Sequence, residues 1–335
     1  MTKRKAVLLS IIVIGLLAGT GVYSVHSSSA QTAEVTNWQS LMLDAPPQNS
    51  GCFQANYPTT AWQPITCSDS TYVPVKYIPV VGAAGGDYVA SVSGTTIGDA
   101  SGHFSTMSGF SKEVDNFEGS NYFSLQINSQ FFSCNTVYTA SKSATCWEQF
   151  VFQNYPGSNL GEYYIEYALA GYYSTYGSCP PLTDRPPGGS SWTNAPGTGD
   201  CYANTAVQQV SLQQASNLVN LAMGGAANLQ SNGYDEVLFC VSTTCNTYSE
   251  TDGVLNLYQS WTHAEWNVLG VGGGSEANFN PGVSVSATTN LYNPSNSRLN
   301  PTCSSVSPSY TGESNNLWSS SCSVSSYQMV YTETD

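Results

Sequence analysis

Two segments, Tyr122–Phe132 (YFSLQINSQFF) and Thr262–Gly270 (THAEWNVLG), decide how the chain folds. Side chains alternate faces along a strand, so Phe123, Leu125 and Ile127 share one face and Gln126, Asn128 and Gln130 the other. In the second segment His263, Glu265 and Asn267 lie together, backed by Ala264, Trp266 and Val268. One apolar face and one amide-bearing face suit an antiparallel sheet with one side on a core and the other toward water. Similar short patterns recur at Asp87–Ser93, His103–Val114, Trp147–Gln153, Glu162–Tyr173, Tyr202–Ser211, Glu236–Ser242 and Val283–Leu291, with Gly, Asn and Ser between them. The expectation is an all-β protein, an antiparallel β-sandwich of the concanavalin-like jelly-roll kind. One or two short helices interrupt it: Leu212–Ala222, ended by Gly224-Gly225, and Val254–Trp261, capped by Asp252.

Around this body the chain divides by composition. Lys3, Arg4 and Lys5 precede an apolar run from Ala6 to Gly19, and Ser28-Ser29-Ala30 offers small residues for cleavage, so 1–30 reads as a signal peptide. Left uncleaved, Ala6–Val25 has the roughly 20 residues that span a bilayer, and the chain would be membrane-anchored at the cell surface. Residues 31–86 read as a pro-segment or linker and a small stapled extension. The sandwich covers 87–292, and 293–335 follows as a C-terminal extension with its own staple.

Ten cysteines in an exported chain indicate disulfides. They fall in neighbouring pairs, Cys52 with Cys67, Cys134 with Cys146, Cys179 with Cys201, Cys240 with Cys245, and Cys303 with Cys322, each bracketing a turn or loop. Removal of 1–30 takes away three of the eight Lys and Arg and none of the 22 Asp and Glu, which leaves a net charge of −17. Such a chain does not seek nucleic acid. Charged residues are only 9% of the sequence, a composition compatible with acid surroundings because little positive self-repulsion builds up on protonation. With few paired carboxylates to protonate, stability should change little between neutral pH and about pH 3.

The chemistry is narrowed by elimination. The chain has no HExxH, no GxSxG and no Asp-Thr-Gly or Asp-Ser-Gly. His103 and His263 are the only histidines after Ala30, too few for a multi-histidine zinc site. No cofactor is implied, and carboxylate chemistry is what remains.

Asp252-Gly253-Val254-Leu255, Ala264-Glu265-Trp266-Asn267-Val268, Ala277-Asn278-Phe279 and Val283-Ser284-Val285, in that order, resemble the C-terminal part of the eqolisins, the glutamic peptidases. Leu125-Gln126 is similar to that family's glutamine-bearing strand, and Tyr164-Ile165-Glu166-Tyr167 to its aromatic-flanked glutamate. The resemblance spans about 87–292 and implies an eqolisin-like jelly roll. It implies Glu265 as the base that activates water and Gln126 as the amide that orients it and stabilises the oxyanion. Asn128, Gln130, Glu166 and His263 would line the substrate, a polypeptide, and the enzyme would act as a monomer. To work in acid Glu265 would keep an ionised fraction below about 4.3, helped by nearby donors, and a protonated His263 could assist. The chain departs from the family after Gln126, where Ile-Asn-Ser follows, and after Glu265-Trp266, where no acidic run appears. Two other readings fit the same segments: a non-enzymatic glycan-binding or cell-envelope sandwich, and a glycosidase with Glu166 and Glu265 as its two carboxylates.

Overall fold

The computed structural model describes residues 23–68, 87–195, 197–306 and 309–335, with side chains from 33 onward. The fold is all-β: two large antiparallel sheets packed face to face. The first runs in the order Gln63–Ile65, Gly51–Asn56, Thr244–Thr251, Tyr234–Val241, Leu221–Ala227, Asp99–Ser108, Ser284–Tyr292, Gln328–Thr334, Trp318–Ser325. The second runs Thr193–Ala195, Asp200–Asn204, Leu160–Ala170, Ala144–Tyr155, Ser124–Ser129, His263–Leu269, Asp87–Ser91, Thr302–Val306. A small third sheet joins Ser314–Asn315, Glu276–Phe279, Glu113–Asp115 and Gly119–Ser120.

Alternation delivers the core as the sequence indicates. Leu125, Ile127, Phe150, Phe152, Ile165, Trp266 and Val268 face inward from the second sheet, meeting Phe104, Met223, Val237 and Phe239 from the first. The Phe152 and Phe239 rings stack at 4.1 Å, and Phe104 lies 5.2 Å from Trp266. Two glycines make room for rings. A Cβ at Gly102 would fall 2.2 Å from the Trp266 indole, and one at Gly225 would fall 2.2 Å from the Phe150 ring.

Gly225 explains one correction. The helix expected over Leu212–Ala222 is a 3-10 turn, Ala215–Asn220, and Leu221–Ala227 is a central strand whose Gly224 and Gly225 belong to the sheet rather than to a helix end. The close Phe150 contact needs glycine in a strand. Val254–Trp261 likewise contains only the 3-10 turn Leu257–Gln259, preceded by Asn256 rather than Asp252 as its N-cap.

The flanking segments are built into the sheets. Tyr23–Leu43 is a helix whose Trp38, Met42 and Leu43 pack on the outer face of the first sheet against Ala55, Ala222 and Leu238. Gln39 Nε2 donates to the carbonyls of Asn220 (3.2 Å) and Ser242 (2.8 Å). The expected cleavage point after Ala30 falls inside this helix, the rest of the signal-peptide reading lies on 1–22 outside the described residues, and no described helix is long and apolar enough to cross a membrane. The 293–335 segment, expected as an appendage, adds a strand to the second sheet beside Asp87–Ser91 and two to the first beside Ser284–Tyr292. All five expected disulfides form between sequence neighbours, which fits an oxidising compartment.

Candidate active site

The outward face of the second sheet carries the amides the sequence places there. Asn128 stands opposite Glu265, and Gln126 opposite Asn267. Gln149 and Gln153, then Glu162 and Glu166, continue the face across the next two strands. Gln126 and Glu265 are therefore diagonal neighbours, about 7–8 Å apart. This face is not wet: Gln126, Asn128, Glu265 and Asn267 are all buried.

The cover is 309–317. Ser309, Thr311, Glu313, Asn315 and Leu317 point down onto the sheet, alternating with half-buried Tyr310, Gly312, Ser314 and Asn316. The segment is fastened to the glycine-rich turn after Leu269, with Gly270 N donating to Ser314 O at 3.0 Å and Gly274 N to Gly312 O at 2.9 Å. Asn315 Nδ2 reaches Val268 O at 2.8 Å. Gly272 and Gly274 in this turn take positive φ, 86° and 81°, where other residues are strained.

At the Glu265 corner the groups bond one another in part, while Glu265 Oε1, Asp87 Oδ2, Glu333 Oε2 and Asn128 Oδ1 stay buried without a partner. Glu265 Oε2 accepts from Asn128 Nδ2 (3.1 Å) and Tyr310 N (3.2 Å), and the carboxyl also bonds Ser309 and Asp87. Asn267 Nδ2 bridges Asp87 Oδ1 (3.0 Å) and Glu333 Oε1 (3.1 Å). Burial and then Asp87 push Glu265 up to about 8, and burial raises Asp87 to about 6. Glu265 is thus neutral in acid, the reverse of what a base working there requires. The donors the sequence reading relied on are present, but burial outweighs them. No hydrogen bond links Glu265 to Gln126.

Burial pushes His263 below its usual value, which opposes the proton the sequence reading gives it. Its Nδ1 shares a hydrogen bond with Thr262 Oγ1 at 2.9 Å, and its ring meets Tyr310 edge-on. Gln130 is structural. Its Oε1 accepts from Thr262 N (3.2 Å) and His263 N (3.1 Å), closing the turn that leads into the Glu265 strand.

Gln126 sits in a different setting. It lines an opening of about 30 Å³ with Gln149, Gln153, Glu166, Tyr202 and Glu313. Its Nε2 donates to Ser124 Oγ at 2.9 Å and to the Glu313 carboxyl, while its Oε1 is buried without a partner. Glu313 also accepts from Thr311 Oγ1. Burial raises Glu313, and bonds from Thr311, its own backbone N–H and Gln126 pull it back. Glu166, half-buried at the mouth, is raised to about 8 by burial and then by Glu313, with Gln149 Nε2 (3.3 Å) as the opposing donor.

Glu313 is the residue that reading the sequence misses, because it lies in the C-terminal segment assigned no chemistry. The signal was present: Ser309, Thr311, Glu313, Asn315 and Leu317 recur at the strand period of two. No group of His, Cys, Asp and Glu able to hold a metal ion occurs among the described residues. Comparison with known proteins gives no family-model match and no match among curated proteins or solved structures.

Proposed function

We propose that this chain is an exported, monomeric hydrolase of the carboxyl type that cleaves peptide bonds in weakly acidic surroundings at Gln126. One observation carries the reading: a buried amide with an unpartnered Oε1 is held by one carboxyl, Glu313, beside a second, Glu166, in an opening with room for about one or two waters. Two carboxyls with unequal surroundings divide acid and base roles between them. Burial raises Glu313, but three hydrogen bonds oppose that shift and make it the proton acceptor of the two, whereas Glu166, raised to about 8 by burial and then by Glu313, keeps its proton.

Water donates one hydrogen bond to Gln126 Oε1 and gives its other proton to Glu313 as its oxygen bonds to the carbonyl carbon. Glu166 protonates the carbonyl oxygen. When the carbon–nitrogen bond breaks, the amine takes the proton from Glu313, and a hydroxyl of the intermediate returns one to Glu166. A polypeptide reaches this water only after 309–317 or the Gly272–Gly274 turn shifts. The eqolisin resemblance contributes Gln126 and the peptide substrate to this reading. The base moves from Glu265 to Glu313 because Glu265 is neutral and enclosed.

The flanking Tyr164 and Tyr202 favour a second reading, two-carboxyl hydrolysis of a glycosidic bond. The test is to incubate the protein with a denatured protein and, separately, with neutral polysaccharides from about pH 3 to pH 7, with and without pepstatin. Peptide cleavage insensitive to pepstatin supports the first reading, and sugar release with intact protein supports the second. Neither product would leave a binding protein.

A further inference from the structure

A larger cleft lies away from the Gln126 opening, at the end of the second sheet where Ala144–Tyr155 begins and Leu160–Ala170 ends. Ala170 is four residues beyond Glu166 on the same strand, about 13 Å at 3.3 Å per residue. The cleft has a volume of about 560 Å³, within the range of small-molecule sites. Ser133, Asn135, Thr145, Asn256, Gln259 and Tyr176 present hydrogen-bonding groups to it, and no lining side chain carries a charge.

Four of these groups are unspent. The side chains of Ser133, Asn135, Thr145 and Asn256 make no hydrogen bond within the described structure, and Tyr176 is 39% exposed. Their frame is fixed. Cys134–Cys146 closes the loop beneath them, Tyr176 OH donates to Ser143 O (3.0 Å), Tyr172 OH to Thr139 O (3.0 Å) and Thr136 Oγ1 to Val254 O (2.7 Å). The nearby charge, Lys142, lies over the Tyr176 ring at 4.4 Å and near Tyr172 at 5.5 Å.

We infer that this cleft binds an uncharged oligosaccharide. Side-chain amides and hydroxyls that both donate and accept match the paired hydroxyls of a sugar. A partly open tyrosine offers an amphipathic ring for its C–H face. A charged ligand would find no counter-charge among these residues. A bound peptide is fixed through pockets for its side chains, and this lining is mostly hydrogen-bonding groups. The cleft is lined by hydroxyls and amides rather than carboxyls, so affinity stays flat where the carboxyl site changes protonation.

Titration calorimetry at about pH 4 with maltohexaose, cellohexaose, mannohexaose and chitohexaose tests the inference. At least one should bind in the micromolar to millimolar range. Asn135→Ala and Tyr176→Ala should each weaken it about tenfold, a change of about 1.4 kcal/mol, while Glu313→Gln leaves it unaltered and affinity holds from about pH 3 to pH 5. Asn135 is exposed and unbonded, so its variant folds even if Tyr176→Ala does not. Failure of all four sugars to bind at millimolar concentration overturns the inference. So does binding that survives both variants, or binding that is lost in Glu313→Gln, which would put the sugar at the Gln126 opening instead.

Discussion

The Gln126 opening and the Glu265 corner occupy one face of one sheet, under one covering segment, and are built from the same residue types, yet they are suited to different work. At the corner Asp87, Glu265 and Glu333 surround Asn267 and receive bonds from Asn128, Tyr310 and Ser319. Both regions leave polar atoms over: Asp87 Oδ2, Glu265 Oε1 and Glu333 Oε2 at the corner, and Gln126 Oε1, Gln149 Oε1 and Gln153 Nε2 at the opening, but only the second set lines a space that can hold water, beside two carboxyls that differ in exposure. A carboxyl packed among protein groups away from that space contributes to the fold. A carboxyl beside an unpartnered amide and a void has something left to do. The comparison teaches that residue type, face and unspent hydrogen-bonding capacity do not by themselves define a site; the space beside them does.

Both regions share the fold's dependence on acid, and this gives the largest expected effect. Glu265 and Glu333, like Glu113 and Glu236 elsewhere, are raised from 4.5 to about 8 by burial, and Asp99, Glu148 and Asp235 lie well above their usual values. Among the described residues the single ion pair is Arg298–Asp44, so cations do little to offset ionisation. A carboxyl whose folded pKa is raised stays protonated in the fold where the unfolded chain has ionised. Its stabilisation is full below the unfolded value of about 4.5 and is lost as pH rises toward about 8. A tenfold difference in proton affinity between the folded and unfolded chain is worth about 1.4 kcal/mol, so several such groups weigh heavily against the roughly 5–15 kcal/mol that holds a domain. The melting temperature followed by circular dichroism should therefore be highest near pH 4 or below and fall steadily as pH approaches neutral. A flat profile would remove the distinction between the buried acids and ordinary surface ones.

Smaller effects sharpen the comparison. Gln126→Ala should lower kcat by a factor of about 10²–10³, the scale of losing one positioned polar group at the reacting centre, with little change in melting at pH 4. A loss of folding instead of rate would make Gln126 a structural twin of Asn267. Glu148→Gln and Asp235→Asn remove carboxyls that have no protein partner. These variants should melt like the parent at pH 4 and above it near pH 6, since the amide mimics the protonated form. His263→Ala should change kcat/KM by less than about tenfold, because its ring is bonded to Thr262 and packed on Tyr310 and does not line the Gln126 opening.

Much of the sandwich is legible in the sequence because alternation needs only neighbours: Leu125 and Ile127 against Gln126 and Asn128 fix which face meets the core. The disulfides are legible because each pair closes one loop. What covers the polar face is not, since 309–317 docks some 180 residues after Gln126 and only tertiary packing brings Glu313 to it. The expectation of unchanged stability in acid leaves out the same packing. Counting few charged residues says nothing of where they lie, and here most of the informative ones are buried without cations. Gly224-Gly225 misleads as a helix end because the reason for glycine, the Phe150 ring, comes from another strand.

The most direct measurement is kcat/KM for peptide hydrolysis at about pH 5 by Glu313→Gln and Glu265→Gln, each with its melting curve at the same pH. Glu313→Gln should lose a factor of at least about 10²–10⁴, the contribution of a general base, and stay folded. Glu265→Gln should retain most activity and melt no lower than the parent. Activity that survives Glu313→Gln but disappears in a folded Glu265→Gln would contradict the assignment and return the catalytic role to the Glu265 corner.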